Sequence, residues 1–254
     1  MNILSLGAGV QSSTLALMAA QGEIGPMPDA AIFADTGWEP KAVHDYLNWL
    51  ETLLPFPVYR VMHNEGIREA LCGEGRVAAL PWFTSSGGMG MRQCTTEYKI
   101  QPIQKKVREL LGYQPRQRIP AEAATIWIGI STDEAVRMKP SRVGWIEHRW
   151  PLIDKAMSRT DCLAWFERQG HPKPPKSSCL GCPYHSDRQW IEIKNGPKEE
   201  WDDVIHVDRL IRNRTKMKDE QFMHRSLKPI DQVEFFGERN LDMFGNDCEG
   251  MCGL

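Results

Sequence analysis

The opening thirteen residues place the tightest limit on what this chain becomes. Residues 2–6 read as a buried strand and residues 12–21 as a helix, and between them lies Gly7-Ala8-Gly9-Val10-Gln11. A strand, a Gly/Ser turn and a helix N-terminus together make an anion site. The first helical N–H groups have no partner within the helix, and the dipole adds roughly +0.5 charge there. The glycines let a phosphate approach the backbone, and Ser12 and Ser13 add hydroxyl donors. The ligand implied is a nucleotide or another phosphate-rich molecule. The same residues also read as a plain strand-to-helix turn.

Further strand–helix units follow. Strands are expected at 30–34, 57–62 and 125–130, and helices at 40–54, 64–72 and 97–111, with a Gly-, Ser- and Thr-rich loop over 73–96. Strands alternating with helices predict an α/β fold with a doubly wound, mainly parallel sheet. After Pro151 the pattern changes. A helix at 160–169, capped by Thr160 or Asp161, precedes the Pro-rich 171–176, helices near 187–194 and 197–213, and an irregular end. The expected division is an α/β domain over 1–155 and a mostly helical, Cys-containing extension over 156–254.

The net charge of −2 gives no global basic field for nucleic acid. No apolar run is long enough to span a bilayer, and no charged segment precedes the first strand, so the expectation is a cytoplasmic chain without signal peptide or membrane partner. Seven cysteines are an odd number for a disulfide framework and read better as metal, cluster or redox residues.

Ligands of an open parallel sheet bind outside the carboxyl ends of its strands. The loops there carry Asp35 and Glu39, His63, and Asp133, Glu134 and Arg137. Asp35 suits a ribose, a Mg²⁺ ion held against phosphates, or a helix cap. Lys99 starts a helix after a flexible loop and, with Arg92, suits a leaving pyrophosphate or sulfate. Cys179-Leu180-Gly181-Cys182 has the spacing for two thiolates on one metal or cluster, or for a dithiol redox pair. Four sulfurs are available as Cys94, Cys179, Cys182 and either Cys248 or Cys252, whereas Cys72 and Cys162 sit in helical patterns as small hydrophobes.

Several segments match a known family in order. Residues 5–13 stand where its phosphate-binding loop stands. Asp35-Thr36-Gly37-Trp38-Glu39 is similar to its Asp-Thr-Gly-x-Glu strand end, and Cys94, Lys99 and Pro102 to its Cys-Cys-x-x-x-Lys-x-x-Pro segment. Gly129, Glu134 and Arg137 fit Gly-x-x-x-x-Glu-x-x-Arg, Trp150-Pro151-Leu152 its Pro-Leu-x-x-Trp turn, and Cys179-Leu180-Gly181-Cys182-Pro183 its Cys-x-x-Cys-Pro segment. From residue 3 to about 190 the chain resembles the phosphoadenosine-phosphosulfate reductase-like branch of the adenine nucleotide α-hydrolase (PP-loop ATP pyrophosphatase) superfamily. It departs from the family in an uncharged phosphate loop and in Gln93-Cys94 where cluster-bearing members have two cysteines.

The resemblance implies a HUP-type fold. It implies ATP or another adenine nucleotide, with or without Mg²⁺, held by Ser5, Gly7, Gly9, Gln11, Ser12 and Ser13, by Asp35 and Thr36, and by Gly129, Glu134 and Arg137. Lys99, Asp35 and Cys252 are the expected catalytic residues. A [4Fe–4S] cluster on Cys94, Cys179, Cys182 and Cys248 or Cys252 would serve sulfur transfer to a nucleic-acid or small-molecule acceptor, with an electron or sulfur donor protein as partner. Two alternatives stay open: a cluster-free phosphoadenylyl-sulfate reductase with Cys252 as nucleophile, and a nucleotide-binding module with a structural zinc. Trp190, Trp201, Arg209, Arg212 and Arg214 form either a nucleic-acid face or an ordinary packed helix.

Overall fold

β1 (Asn2–Leu6) pairs on both sides, with β2 (Ala30–Asp35) and with β5 (Ala124–Ile128). β3 (Val58–Met62) lies beyond β2 and β6 (Ile146–Arg149) beyond β5, giving the all-parallel order β3-β2-β1-β5-β6. The computed structural model describes residues 1–73, 80–212 and 219–236. Strand order reverses between β1 and β5, so the ligand crevice of this architecture falls outside their carboxyl ends.

Alternation along the strands supplies both faces with apolar side chains. Leu4, Leu6, Ala31, Phe33 and Trp127 face α1 (Val10–Ala20), α2 (Lys41–Glu51) and α6 (Arg159–Gln169). Ile3, Ile32, Ile126 and Ile128 face α4 (Gln101–Leu110), through Ile103 and Val107. Helices on both faces make the sheet doubly wound, as the alternating sequence predicts. Cys162 is buried in the first cluster, and Cys72, at the end of α3 (Gly66–Cys72), packs half-buried elsewhere.

A third cluster covers the carboxyl ends of the strands. It gathers Trp38, Leu180, Trp190, Val207 and Met223 from the loop after β2, the Cys-x-x-Cys turn, α7 (Asp187–Lys194), α8 (Lys198–Arg212) and the segment after β7 (Gln221–Phe222). β7 pairs antiparallel with β4 (Phe83–Thr84). No described helix is long and apolar enough to cross a membrane.

The structure corrects two local expectations. The sheet has a fifth strand, β6, where the sequence suggests only four. α6 is capped by Ser158 in a capping box with Asp161, and α5 (Pro151–Asp154) lies just before it. Pro102 lacks the N–H that an α-helix would aim at the Tyr98 carbonyl, and the turn before α4, Thr96–Ile100, is widened to a π-helix that carries Lys99.

Asp187 anchors the last described segment. It accepts from Arg225 Nη2 at 2.7 Å, from the Phe236 N–H at 3.0 Å and from His224 Nε2 at 3.3 Å. Burial holds His224 below the usual imidazole range. Although burial pushes Asp187 up, its bonds to Phe236, His224 and Arg225 outweigh it and hold the carboxyl low. Both shifts have the same consequence. The unfolded chain takes up protons that the folded chain refuses, first on histidine below about pH 6.5 and then on aspartate below about pH 4. The melting temperature is therefore expected to fall as pH drops through these windows. His148 and His185, also held low by burial, share the first window, so His224→Gln should make it shallower without abolishing it, and an unchanged slope in that variant would contradict this assignment.

Candidate functional site

The turn after β1 departs from regular backbone. Ala8 takes φ +57°, a left-handed conformation costing about 1–2 kcal/mol outside glycine. Gly9 caps α1 with extended backbone and no side-chain hydrogen bond. The Ser12 hydroxyl accepts from the Gly7 N–H at 3.1 Å. Gly129, just past β5, presses against this turn, and a Cβ there would lie 2.7 Å from the Ser12 nitrogen. Gln11 bridges the two loops, reaching Ser131 Oγ at 3.4 Å. Ser5 and Ser13 are buried in or beside this turn.

Two residues that the sequence did not single out complete it. Arg159, the first residue of α6, donates to Gln11 Oε1 at 2.9 Å and sets a guanidinium on the first turn of α1. Ser177 donates to the Gly7 carbonyl. Neither bond has a local sequence signal, since they join residues 148 and 170 positions apart.

At the carboxyl end of β2, Asp35 Oδ1 accepts from the Gly37 N–H at 2.7 Å, and Oδ2 lies 4.0 Å from His44. Gly37, at φ +73°, crosses Gly66 so closely that a Cβ on either would meet the other's Cα at 2.9 Å. Thr36 links the end of β2 to the Cys-x-x-Cys turn. Its hydroxyl donates to Glu39 Oε1 at 3.1 Å and lies 3.1 Å from Cys179 Sγ. Lys99 Nζ stands 3.7 Å from the same Glu39 oxygen, with both side chains almost fully buried. Burial and then Glu39 push the Cys179 thiol well up, while Lys99 acts against them.

The Cys-x-x-Cys turn is clamped onto the β2 loop. The Leu180 N–H donates to the Trp38 carbonyl at 2.9 Å, and Cys182 N–H to the Cys179 carbonyl at 3.1 Å. A Cβ at Gly181 would lie 2.1 Å from Trp38 Cη2. His185 holds the turn through the Cys179 carbonyl at 2.9 Å, and burial lowers its pKa to about 4. Arg92 lies over the Tyr184 ring at 5.1 Å, and Cys94 and Cys182 both act on the Tyr184 hydroxyl. Thus Cys94, Cys179, Cys182 and Lys99 gather at the β2 end of the crevice, while Gly7, Gly9, Gln11, Ser12 and Gly129 gather at the β1–β5 switch. Glu134 is buried and paired with Arg137 at 2.7 Å. Cys248, Cys252 and Arg214 lie outside the described residues.

Among the described residues, no three His, Cys, Asp or Glu side chains converge to hold a metal ion. The described members of the aromatic–basic set pack or pair within the chain. Trp190 is fully buried against His185 and Phe235. Arg209 pairs with Asp231 at 2.8 Å, and Arg212 pairs with Asp208.

Fold and site together define a doubly wound α/β chain with a glycine-rich turn at its switch point and a Cys-x-x-Cys turn packed on the loop after β2. No protein-family model and no curated protein matches the chain. Among solved structures it is similar to phosphoadenylyl-sulfate reductase from Candida auris, in its phosphate complex. The identity is 14% and the TM-score 0.47, over 68% of this chain and 74% of that one.

Proposed function

We propose that this chain is a nucleotide-dependent enzyme of sulfur chemistry, related to the phosphoadenosine-phosphosulfate reductases that its motifs resemble. The observation that carries the reading is the pair Ser177 and Cys179. Two residues apart, one is bonded to the phosphate turn at Gly7 and the other sits 3.1 Å from Thr36 at the end of β2. A thiol is thereby held beside the place where an adenine nucleotide would set its phosphates, on the first-turn amides of α1 with Ser12 and Arg159. Asp35, at the carboxyl end of β2, would serve a ribose hydroxyl or Mg²⁺ through Oδ2, which lies 4.0 Å from His44.

The proton path follows from donor counting. The Thr36 hydroxyl has one hydrogen, given to Glu39, so the contact with Cys179 is an S–H donating to Thr36. The thiol rests protonated. When its sulfur attacks the sulfonyl sulfur of a phosphosulfate, an S–S bond forms, the S–O bond to the nucleotide phosphate breaks, and the proton passes through Thr36 to Glu39. Glu39 is neutralised, the Lys99 charge turns to the departing nucleotide phosphate, and an added dithiol then releases sulfite from the S-sulfonate and takes the second sulfur into its disulfide.

A [4Fe–4S] cluster would supply sulfur binding or electron transfer. The described donors are Cys94, Cys179 and Cys182, and they do not form a metal set by themselves, so no step is routed through a cluster or a zinc ion. About four iron and four sulfide per chain after anaerobic purification would support a cluster, and Cys248→Ala and Cys252→Ala would then find its fourth ligand.

The test offers ATP, and separately phosphoadenylyl sulfate with excess dithiothreitol as reductant, to the full chain and follows pyrophosphate and sulfite release. Turnover of one of them, lost in Cys179→Ser, is expected. Gly129→Ala, whose methyl meets the Ser12 backbone, should weaken nucleotide binding about tenfold or more. Absence of binding and turnover with both nucleotides would sink the proposal.

A further inference from the structure

The proposed chemistry uses one cysteine of the Cys-x-x-Cys turn and leaves the other idle. Yet Cys182 is held beside Cys179. The Cys182 N–H donates to the Cys179 carbonyl at 3.1 Å, which closes the four residues into one turn. A bond of this i to i+3 kind keeps the end Cα atoms within ~7 Å of each other, and disulfides bridge Cα atoms about 4.4–6.8 Å apart. The two side chains already feel one another, since Cys182 adds to the upward push on the Cys179 thiol.

The turn is fixed at each of its four residues. Leu180 bonds to the Trp38 carbonyl at 2.9 Å, and the Trp38 ring stands where a Gly181 side chain would be. The His185 N–H donates to the Cys182 carbonyl at 3.1 Å, and His185 Nε2 reaches the Cys179 carbonyl at 2.9 Å. A second thiol therefore needs little ordering to meet the first. Both cysteines are half-buried, whereas Cys162 is fully covered, so reagents in solution reach the pair. Arg92 lies over the Tyr184 ring at 5.1 Å, and Arg92 and Cys182 both act on the Tyr184 hydroxyl. A guanidinium thus stands on the side of the second thiol, where a departing oxyanion gains from one.

We infer that Cys182 is the resolving thiol: it attacks Cys179 Sγ of the S-sulfonate and expels sulfite. A Cys179–Cys182 disulfide forms as the bond between Cys179 Sγ and the sulfonate sulfur breaks. The electron pair of that bond leaves with the sulfonate group, and the Cys182 proton goes with it, giving hydrogen sulfite. The thiol pair is oxidised by two electrons and the sulfonyl sulfur is reduced by two. The outside dithiol then acts one step later, on the protein disulfide, instead of expelling sulfite itself. The inference rests on the phosphosulfate reading given above.

A single turnover without reductant tests it. The full chain is reduced, freed of reductant and mixed with phosphoadenylyl sulfate. Sulfite, the nucleotide product and the tryptic peptide 177–188, which carries both cysteines, are then measured. Wild type is expected to release sulfite stoichiometric with the chain and to yield that peptide two hydrogens lighter and closed to alkylation. Cys182→Ser should form the nucleotide product but keep the sulfonate on Cys179, releasing sulfite about tenfold more slowly or worse until dithiothreitol is added. Sulfite release from Cys182→Ser as fast as from wild type would overturn the inference. If that variant does not fold, the wild-type peptide decides alone: a sulfonate that persists on it until dithiothreitol arrives overturns the inference and leaves the phosphosulfate reading standing. Absence of nucleotide product even with dithiothreitol present would sink that reading, and the inference with it.

Discussion

Gly181→Ala is expected to lower the melting temperature by roughly 5–10 °C, the shift that about 2–3 kcal/mol of overpacking produces in a chain of this size. The added methyl would lie 2.1 Å from Trp38 Cη2 and 2.5 Å from Cζ3. The indole cannot slide aside cheaply. It is 3% exposed, and its N–H is bonded to Asp203 at 2.8 Å, which Arg68 holds in turn at 2.7 Å. Relief must come from the backbone of the Cys-x-x-Cys turn, moving Cys179 off Thr36. Thermal unfolding followed by circular dichroism reads the first effect, and turnover the second. A melting temperature equal to wild type would mean that the turn does not rest on Trp38 as described.

Lys99→Met should destabilise the chain by about 3–5 kcal/mol, because it strands a buried carboxylate. Lys99 and Glu39 have side chains 6% and 1% exposed and stand 3.7 Å apart. A surface pair of this kind would be worth little. Here the cost lies in the charge left behind, so the double variant Lys99→Met with Glu39→Gln should recover most of the stability while remaining inactive. Chemical denaturation of the two single variants and the double variant closes the cycle. If the double variant is as unstable as the sum of the singles, the pair is not coupled, and Lys99 packs as an aliphatic stem.

What the residues disclosed follows from how local each signal is. β1, β2 and β5 are buried on both faces, so their apolar runs stand out; Ile3, Ile32 and Ile126 are fully covered. β6 escaped because it is an edge strand, in which only Ile146 is buried and Glu147, His148 and Arg149 remain reachable by water. The α6 cap lay at Ser158 instead of Thr160 or Asp161, because a capping box uses its acidic residue at N3 and starts three residues earlier. In the site, Lys99 and the Cys-x-x-Cys were visible as residue types in a telling order. Their true neighbours were not. Thr36 reaches Glu39 and Cys179, a residue 143 positions away. Ser177 and Arg159 act on the phosphate turn through single bonds spanning more than half the chain, for which no local periodicity exists.

The position of β1 bears on how the molecule comes into being. The first strand to leave the ribosome is the middle of the sheet, and its partner on one side, β5, is made more than a hundred residues later. Until then a nascent half-sheet of β1, β2 and β3 holds a bare edge along Ile3 and Leu4, the kind of template on which strands of other chains assemble. Synthesis speed and chaperone cover, more than the stability of the finished molecule, should therefore set the yield of this protein in a foreign host. Slowing translation across residues 63–123 should cost soluble material even though the described residues of that stretch supply no strand to the central sheet.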